Sequence, residues 1–170
     1  LLPILFAEAQ SDQSALLNET EWTQPALFAV ECALYRFWES LGVIPDYVLG
    51  HSIGEVSAAY LAGVFPLEDA ARLVTARAEG MQACLAGGAM ASIQANEVEV
   101  LTAIAEHDES IYIAALNSAA QTVISGDVDS VNQVVADFEE EGRRVTRLAV
   151  SHAFHSRHMD SMLEKYRSIL

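Results

Sequence analysis

Basic side chains are scarce in this chain. It has 170 residues, with 9 lysines and arginines against 24 aspartates and glutamates, which gives a formal net charge of −15 at pH 7. Because nucleic-acid phosphates repel a surface of this sign, the composition argues against a nucleic-acid-binding protein. The composition does not exclude an anionic small-molecule ligand, because a few cationic side chains close together can attract one.

Long apolar runs and cysteines are also rare. The chain has no stretch of about 18 apolar residues, the length typical of a membrane-spanning helix, so we expect no membrane association. The N-terminal "LLPILFAEAQ" lacks the basic residues of a secretion signal. Cys32 and Cys84, the only cysteines, have neither disulfide nor metal-site spacing. These features predict reduced thiols and a cytoplasmic protein.

The first half of the chain predicts helices around one short strand. Thr23 suits the N-cap of the first helix, Pro25 its first turn and Gly42 its end. The apolar residues between them recur at helical spacing. The expected elements are a polar loop at 9–23, a helix at 23–42, a buried strand at 47–50, and helices at 53–63 and 66–85.

The second half predicts the order β-α-β-β-α-β, which is typical of a ferredoxin-like lobe. Its expected strands are 89–95, 111–117, 121–126 and 143–150, and its helices are 96–107 and 127–142. Together the two halves predict an α/β fold. A ferredoxin-like lobe at 88–150 is inserted in an α/β lobe made of residues 1–87 and 151–170.

One pentapeptide, Gly50-His51-Ser52-Ile53-Gly54, has the form G-x-S-x-G. Between a strand and a helix this form indicates a nucleophile elbow, which presents its serine on a sharp turn. We expect both glycines to be required, because the residues two before and two after the serine approach too closely for a Cβ. The helix N-terminus favours negative charge near the serine, and the N–H of Ile53 would be one oxyanion donor.

A catalytic serine needs a base. His51 adjoins Ser52, but its side chain is expected to point away, and His107 ends a polar helix. The spacing of the remaining histidines leaves all three open as the base. It also leaves a zinc site open, although a second ligand cluster is lacking. These three occur in "VSHAFHSRHMD" as His152, His155 and His158.

Arg77 has an unusual position for a cation. On its predicted helix it shares one face with Leu73, Val74 and Met81, so it projects from an apolar stripe. A buried arginine is unfavourable unless it meets an anion. That anion is either an internal Asp or Glu or the carboxylate of a substrate, which the guanidinium binds as a two-pronged fork. With Ser52 and a histidine, the second alternative points to transfer of an acid-bearing acyl group.

Five segments together form the pattern of a known family: "TQPALFAVECALYRFWESLG", "DYVLGHSIGEVSAAYLAG", "GGAMASIQA", "ALNSAAQTVISG" and "RVTRLAVSHAFHSRHMDSML". They resemble the acyltransferase domain of modular type I polyketide synthases, relatives of the malonyl-CoA:acyl-carrier-protein transacylases of fatty acid synthesis. The resemblance covers nearly the whole chain, in order. It implies a hydrolase-like α/β large subdomain with an inserted ferredoxin-like small subdomain.

The resemblance also implies roles for individual residues. Ser52 matches the acylated nucleophile, His155 the catalytic base and Arg77 the receptor for the extender's free carboxylate. The tetrad from His152 to His155 resembles the form that is linked to malonyl selection, and Phe154 would fill the space that an α-methyl group needs. Further expected site residues are Ile53 and Ala153 for selectivity, with His51 and Asn117 near the site.

The implied reaction moves a malonyl group from coenzyme A to Ser52, and then to the phosphopantetheine thiol of an acyl carrier protein in polyketide biosynthesis. The implied partners are that carrier protein and a neighbouring ketosynthase domain. No cofactor or metal is expected in the domain itself. A serine hydrolase and a non-catalytic scaffold segment are the alternatives.

Two family elements are absent from the sequence. A Gly-Gln-Gly-x-Gln segment is expected before Leu1, and a segment that orients the catalytic histidine is expected after Leu170. The chain is therefore expected to be an excerpt of a longer acyltransferase domain.

Overall fold

The computed structural model describes residues 1–107, 109–150 and 152–169. The chain forms two compact units, one made of Leu1–Ala83 with Glu164–Leu170 and the other of Cys84–Leu163. The sequence assigned residues 151–163 to the first lobe, whereas the structure groups the described residues of that segment with the second unit.

The first unit is helical. The loop expected at 9–23 is wrong, because two short helical segments and the first turn of a long helix lie there. Thr23 is not the N-cap; it lies inside the long helix, and its Oγ1 donates to the carbonyl of Leu17 at 2.6 Å. The helices are α1 (Leu2–Leu5), α2 (Asp12–Ala15), a 3-10 turn (Leu16–Asn18), α3 (Thr20–Ser40), α4 (Gly54–Leu61) and α5 (Leu67–Gln82).

The buried strand expected at 47–50 is also wrong. This segment is irregular, and Tyr47 and Leu49 are 93% and 91% exposed. A parallel-sheet strand is held by hydrogen bonds to neighbours on both sides. Every strand among the described residues belongs to one sheet in the second unit, so residues 47–50 have no strand beside them.

The core of the first unit holds the turn around Ser52 in place. Phe28 of α3, Ile53, and Ala70 and Val74 of α5 form a buried cluster. Ser57 of α4 is also buried and donates a hydrogen bond to the carboxylate of Glu31 on α3. One apolar stripe runs along α3 to its C-cap residue and faces solvent. Its members are 44–60% exposed: Leu27, Val30, Leu34, Phe37 and Leu41.

The second unit has the expected ferredoxin-like topology. Its four strands lie in the order β2-β3-β1-β4, and every neighbouring pair is antiparallel. The last strand is shorter than the 143–150 expected. In chain order the elements are β1 (Gly88–Ile93), α6 (Glu97–Ile104), β2 (Ile111–Ser118), β3 (Gln121–Asp127), α7 (Val128–Glu140) and β4 (Val145–Arg147).

The core of the second unit lies between the sheet and its two helices. Ile93 and Ile124 in the sheet and Val100, Val134 and Val135 on the helices are completely buried. After β4 the chain continues through a 3-10 turn (Arg157–Met159) into α8 (Asp160–Arg167). In the part of the chain that is described, no helix combines the length and the hydrophobicity needed to cross a membrane.

Candidate active site

Ser52 lies on a strained turn immediately before α4. Its φ angle is +55°, in the left-handed region that side chains rarely adopt. A Cβ on Gly50 would lie 2.0 Å from the backbone C and O of Gly54, so only glycine fits at position 50. A Cβ on Gly54 would meet nothing closer than the Glu31 carboxylate at 3.8 Å. The expectation that both glycines are sterically required is therefore wrong for Gly54.

The turn leaves a backbone donor beside the serine. The N–H groups of Gly54 and Glu55 donate to the carbonyls of His51 and Ser52, at 3.0 and 3.2 Å. Among the hydrogen bonds of the described residues, none is donated by the Ile53 N–H. Ile53 is only 6% exposed and is the N-cap of α4, so its N–H is held at the positive end of the helix.

Arg77 of α5 contacts Ser52 directly. Its Nη2 donates to Ser52 Oγ at 3.0 Å, and its Nη1 donates to Oε1 of Gln24 on α3. Val74 and Met81, which share its helix face, are buried. A guanidinium this close stabilises negative charge on the serine oxygen.

Among the described residues, no carboxylate neutralises Arg77. Over residues 1–107, 109–150 and 152–169, neither an Asp nor a Glu forms an ion pair with it. Burial lowers the pKa of the Arg77 guanidinium from its usual value, and Tyr166 partly offsets this effect. Burial likewise raises the pKa of Tyr166, while the charge of Arg77 works against that rise. Within the described residues, the first of the two alternatives for Arg77, an internal salt bridge, therefore finds no partner.

Gln24 is a site residue that sequence reasoning missed. It is 5% exposed, and its Nε2 donates to Thr20 Oγ1 at 2.8 Å and to the sulfur of Met81 at 3.3 Å. The available signal was its polarity four residues before Phe28, a core residue on the same helix face.

The segment that contains the tetrad from His152 to His155 lies in the second unit. His152 is 3% exposed, and its Nε2 lies 3.0 Å from the carbonyl oxygen of Cys84. Its ring stacks on Phe154 with centroids 5.8 Å apart. Ala153 is fully buried, and a Cβ on Gly88 would lie 2.3 Å from its Cβ. These contacts fix three of the four tetrad residues within one unit.

The remaining expected residues differ in their surroundings. His155 is exposed and has a φ of +60°, so it too lies on a strained turn. His158 places its Nε2 2.6 Å from Asp127 Oδ1. Asn117 near the end of β2 and His51 beside the serine are both exposed.

Ser52, Arg77 and Gln24 are brought together in the first unit, and residues 152–155 belong to the second. No cluster of three His, Cys, Asp or Glu side chains suited to a metal ion occurs in the described part of the chain.

A family model described as the acyl transferase domain matches residues 6–170. The chain belongs to this acyl transferase family. A curated relative, polyketide synthase GfsA of Streptomyces halstedii, is 50% identical over 167 residues, which are 98% of this chain and 2% of that protein.

Solved structures agree with this assignment. The acyltransferase domain from the second module of the salinomycin polyketide synthase matches with a TM-score of 0.92 and 46% identity, over 99% of this chain and 39% of that one. The malonyl CoA-acyl carrier protein transacylase of Clostridium perfringens matches with a TM-score of 0.84 and 31% identity, over 94% and 52% of the two chains. These matches confirm the expected fold class, part of a hydrolase-like α/β subdomain with a ferredoxin-like subdomain. The chain spans about two fifths of the salinomycin acyltransferase chain.

Proposed function

We propose that this acyl transferase chain moves a malonyl group from coenzyme A to the thiol of an acyl carrier protein, through an acyl-serine intermediate. One observation carries the proposal: the Arg77 guanidinium, which has no carboxylate partner among the described residues, lies 3.0 Å from Ser52 Oγ on a strained turn. This pair offers a nucleophile and a receptor for an acid group within one small space. Membership of the acyl transferase family supports the same reaction class.

In the proposed first half-reaction, Ser52 Oγ attacks the thioester carbonyl of malonyl-CoA. His155 accepts the hydroxyl proton, and the N–H of Ile53 donates to the oxyanion of the tetrahedral intermediate. The intermediate collapses, the C–S bond breaks, and coenzyme A leaves with the proton. In the second half-reaction the phosphopantetheine thiol attacks the acyl-serine by the same steps and regenerates Ser52.

Arg77 is proposed to bind the malonyl carboxylate. A guanidinium has five N–H donors, of which Gln24 and Ser52 each occupy one. Three donors therefore remain for a ligand, enough for a two-pronged contact with a carboxylate. A serine hydrolase for neutral esters has no substrate carboxylate that these remaining donors would bind, so the arginine favours the transferase.

Extender selectivity is proposed to reside in residues 152–154, with a contribution from Ile53. The buried ring of His152 stacks on the half-buried Phe154, and the His152 contact with the Cys84 carbonyl restrains the pair. A fixed aromatic ring is suited to exclude an α-methyl branch, which supports malonyl over methylmalonyl.

The proposed partners follow from the same reaction. An acyl carrier protein supplies the phosphopantetheine thiol, and a neighbouring ketosynthase domain of the same synthase would use the product. The polyketide synthase names of relatives such as GfsA support this setting. Malonyl-CoA is a substrate in this proposal, and the mechanism uses no further cofactor.

Intact-mass measurement of the protein after incubation with malonyl-CoA tests the proposal. We expect one malonyl adduct, which Ser52→Ala abolishes and which Ser40→Ala, a change at an exposed serine of α3, leaves in place. His155→Ala should slow adduct formation by about 10²–10⁴-fold, the usual effect of losing a general base. An adduct that survives Ser52→Ala would place the nucleophile elsewhere and overturn the proposal.

A further inference from the structure

We propose that Gln24 is a positioning residue that holds Arg77 as a charged receptor and so sets the preference for acid-bearing acyl groups. The inference rests on the proposed function and deepens it. Gln24 contacts the guanidinium and not the reacting atoms, so it acts through Arg77. The inference depends on the buried side-chain amide of Gln24. Its nitrogen donates to a thioether sulfur, and its oxygen accepts from a guanidinium.

The orientation of the Gln24 amide is determined by its neighbours. A thioether sulfur only accepts hydrogen bonds and a guanidinium only donates them. The amide nitrogen must therefore face Met81, 3.3 Å away, and the amide oxygen must face Arg77. The Thr20 hydroxyl accepts a second bond from the same nitrogen at 2.8 Å. A flipped amide would lose the Met81 contact and set donor against donor at Arg77.

A neutral acceptor at this place has a specific consequence. An Asp or Glu would hold the guanidinium equally well, but it would also cancel its charge. The amide oxygen of Gln24 occupies one N–H of Arg77 and adds no negative charge. With Ser52 holding Nη2, both terminal nitrogens are restrained while the positive charge stays available for a carboxylate.

This role predicts opposite effects on two acyl donors. Gln24→Glu supplies an internal carboxylate that competes with malonyl for Arg77. We expect acylation of Ser52 by malonyl-CoA to fall about 10- to 100-fold, the range for losing a hydrogen bond to a charged group. Acylation by acetyl-CoA, which has no carboxylate to bind, should be unchanged or faster. The readout is the malonyl-to-acetyl ratio, the second-order rate constant of acylation by malonyl-CoA divided by that by acetyl-CoA. Both are measured by mass spectrometry of the whole protein.

Two further variants separate charge from orientation. Gln24→Met fills the same space and removes the acceptor, so the malonyl-to-acetyl ratio should fall less than in Gln24→Glu. Thr20→Val removes only the second partner of the amide nitrogen, and a smaller fall in the ratio is expected. Thr20→Ser keeps the hydroxyl and should restore the ratio to that of the unchanged protein.

Two controls make the outcomes distinct. Gln133→Glu makes the same charge change at an exposed position of α7 and should leave the ratio unaltered. Arg77→Ala tests the receptor itself. If Arg77→Ala leaves the ratio unchanged, the proposed carboxylate receptor fails. If Arg77→Ala lowers the ratio and Gln24→Glu does not, only the role of Gln24 is overturned.

A purely structural role for Gln24 gives a different pattern. Both donors would then lose activity equally, and the melting temperature of Gln24→Met would drop with them. That result would overturn the inference. If Gln24→Glu does not fold, the comparison of Thr20→Val with Thr20→Ser decides the question, because neither variant buries a new charge.

Discussion

At the scale of single residues, the two glycines that flank Ser52 differ in whether their surroundings leave space for a side chain. Gly50 packs against the backbone of Gly54 and Glu55 so closely that a Cβ would lie 2.0–2.2 Å from their atoms. Backbone atoms cannot give way as a flexible side chain can. Gly54 has open space around its own Cβ direction and begins a regular helix. The pattern G-x-S-x-G therefore combines one steric requirement with one position that tolerates a side chain.

A pair of alanine substitutions tests this difference. Gly50→Ala should displace the turn, lower the free energy of unfolding by about 1–3 kcal/mol as overpacking does, and abolish acylation of Ser52. Gly54→Ala should leave stability unchanged or raise it by up to about 1 kcal/mol, because alanine is the better helix former. Chemical denaturation and intact-mass acylation of both variants provide the measurement. Equal destabilisation by the two changes would contradict the steric argument.

At the scale of elements, the N-terminus of α6 shows how a polar segment stabilises a helix. Asn96 Oδ1 accepts from the Glu99 N–H at 3.0 Å, and a Glu99 carboxylate oxygen accepts from the Asn96 N–H at 2.8 Å. This reciprocal capping box satisfies two backbone donors that the first helical turn leaves unpaired. Arg143 adds a salt bridge to the same carboxylate.

The charge of Glu99 makes this cap dependent on pH. The hydrogen bond from the Asn96 backbone, and then Arg143, hold the pKa of Glu99 below its usual value. A lowered acid pKa contributes stability that is complete above the unfolded value of about 4.3 and is lost as pH falls through the folded value. Glu99→Gln should therefore lower the free energy of unfolding at pH 7. Below about pH 4 the free energies of unfolding of the variant and the unchanged protein should become more similar.

Denaturation curves at several pH values measure this effect. Glu106→Gln, at an exposed residue after α6, serves as the matched control and should match the unchanged protein throughout. If Glu99→Gln lowers the free energy of unfolding by the same amount from pH 7 to pH 3, the carboxylate charge plays no part in the cap.

At the scale of the whole molecule, apolar surface outside the two cores dominates the expected behaviour in solution. Four large side chains at the C-terminal end of α3, the last of them its C-cap residue, share one face at helical spacing. Each is 53–60% exposed: Leu34, Phe37, Trp38 and Leu41. Exposed apolar patches of this kind promote association and bind apolar dyes. Hydrophobic residues make up 52% of the sequence, and some of the large ones are exposed on α3 instead of buried in a core.

The 170-residue chain is therefore expected to self-associate through α3. The double variant Phe37→Glu with Leu41→Glu should weaken binding of an apolar dye and shift sedimentation toward the monomer. Val98→Glu, a change at a 71% exposed valine of α6, is the control and should alter neither. Unchanged sedimentation of the double variant would exclude this face as the contact.

The sequence by itself determined what local patterns encode. Apolar periodicity predicted α3 to α7 and the order of the ferredoxin-like lobe, although the N-cap expected at Thr23 was wrong. The G-x-S-x-G pattern located the turn at Ser52. Local signals work here because a helix or a turn is decided by residues within a few positions of one another. The same signals failed at residues 47–50, because a strand exists only with a partner and no pattern inside those four residues supplies one.

Only the tertiary structure decided how the site is assembled. Arg77 reaches a serine 25 residues away and a glutamine 53 residues away, and neither separation leaves a periodic trace. The sequence could state that a cation on an apolar face needs a partner. It left an internal carboxylate and a substrate carboxylate open and did not include a neutral amide, because packing selects the partner from all residues that the fold brings near. The contact of Gln24 with Arg77 is established only by the packing of α3 against α5.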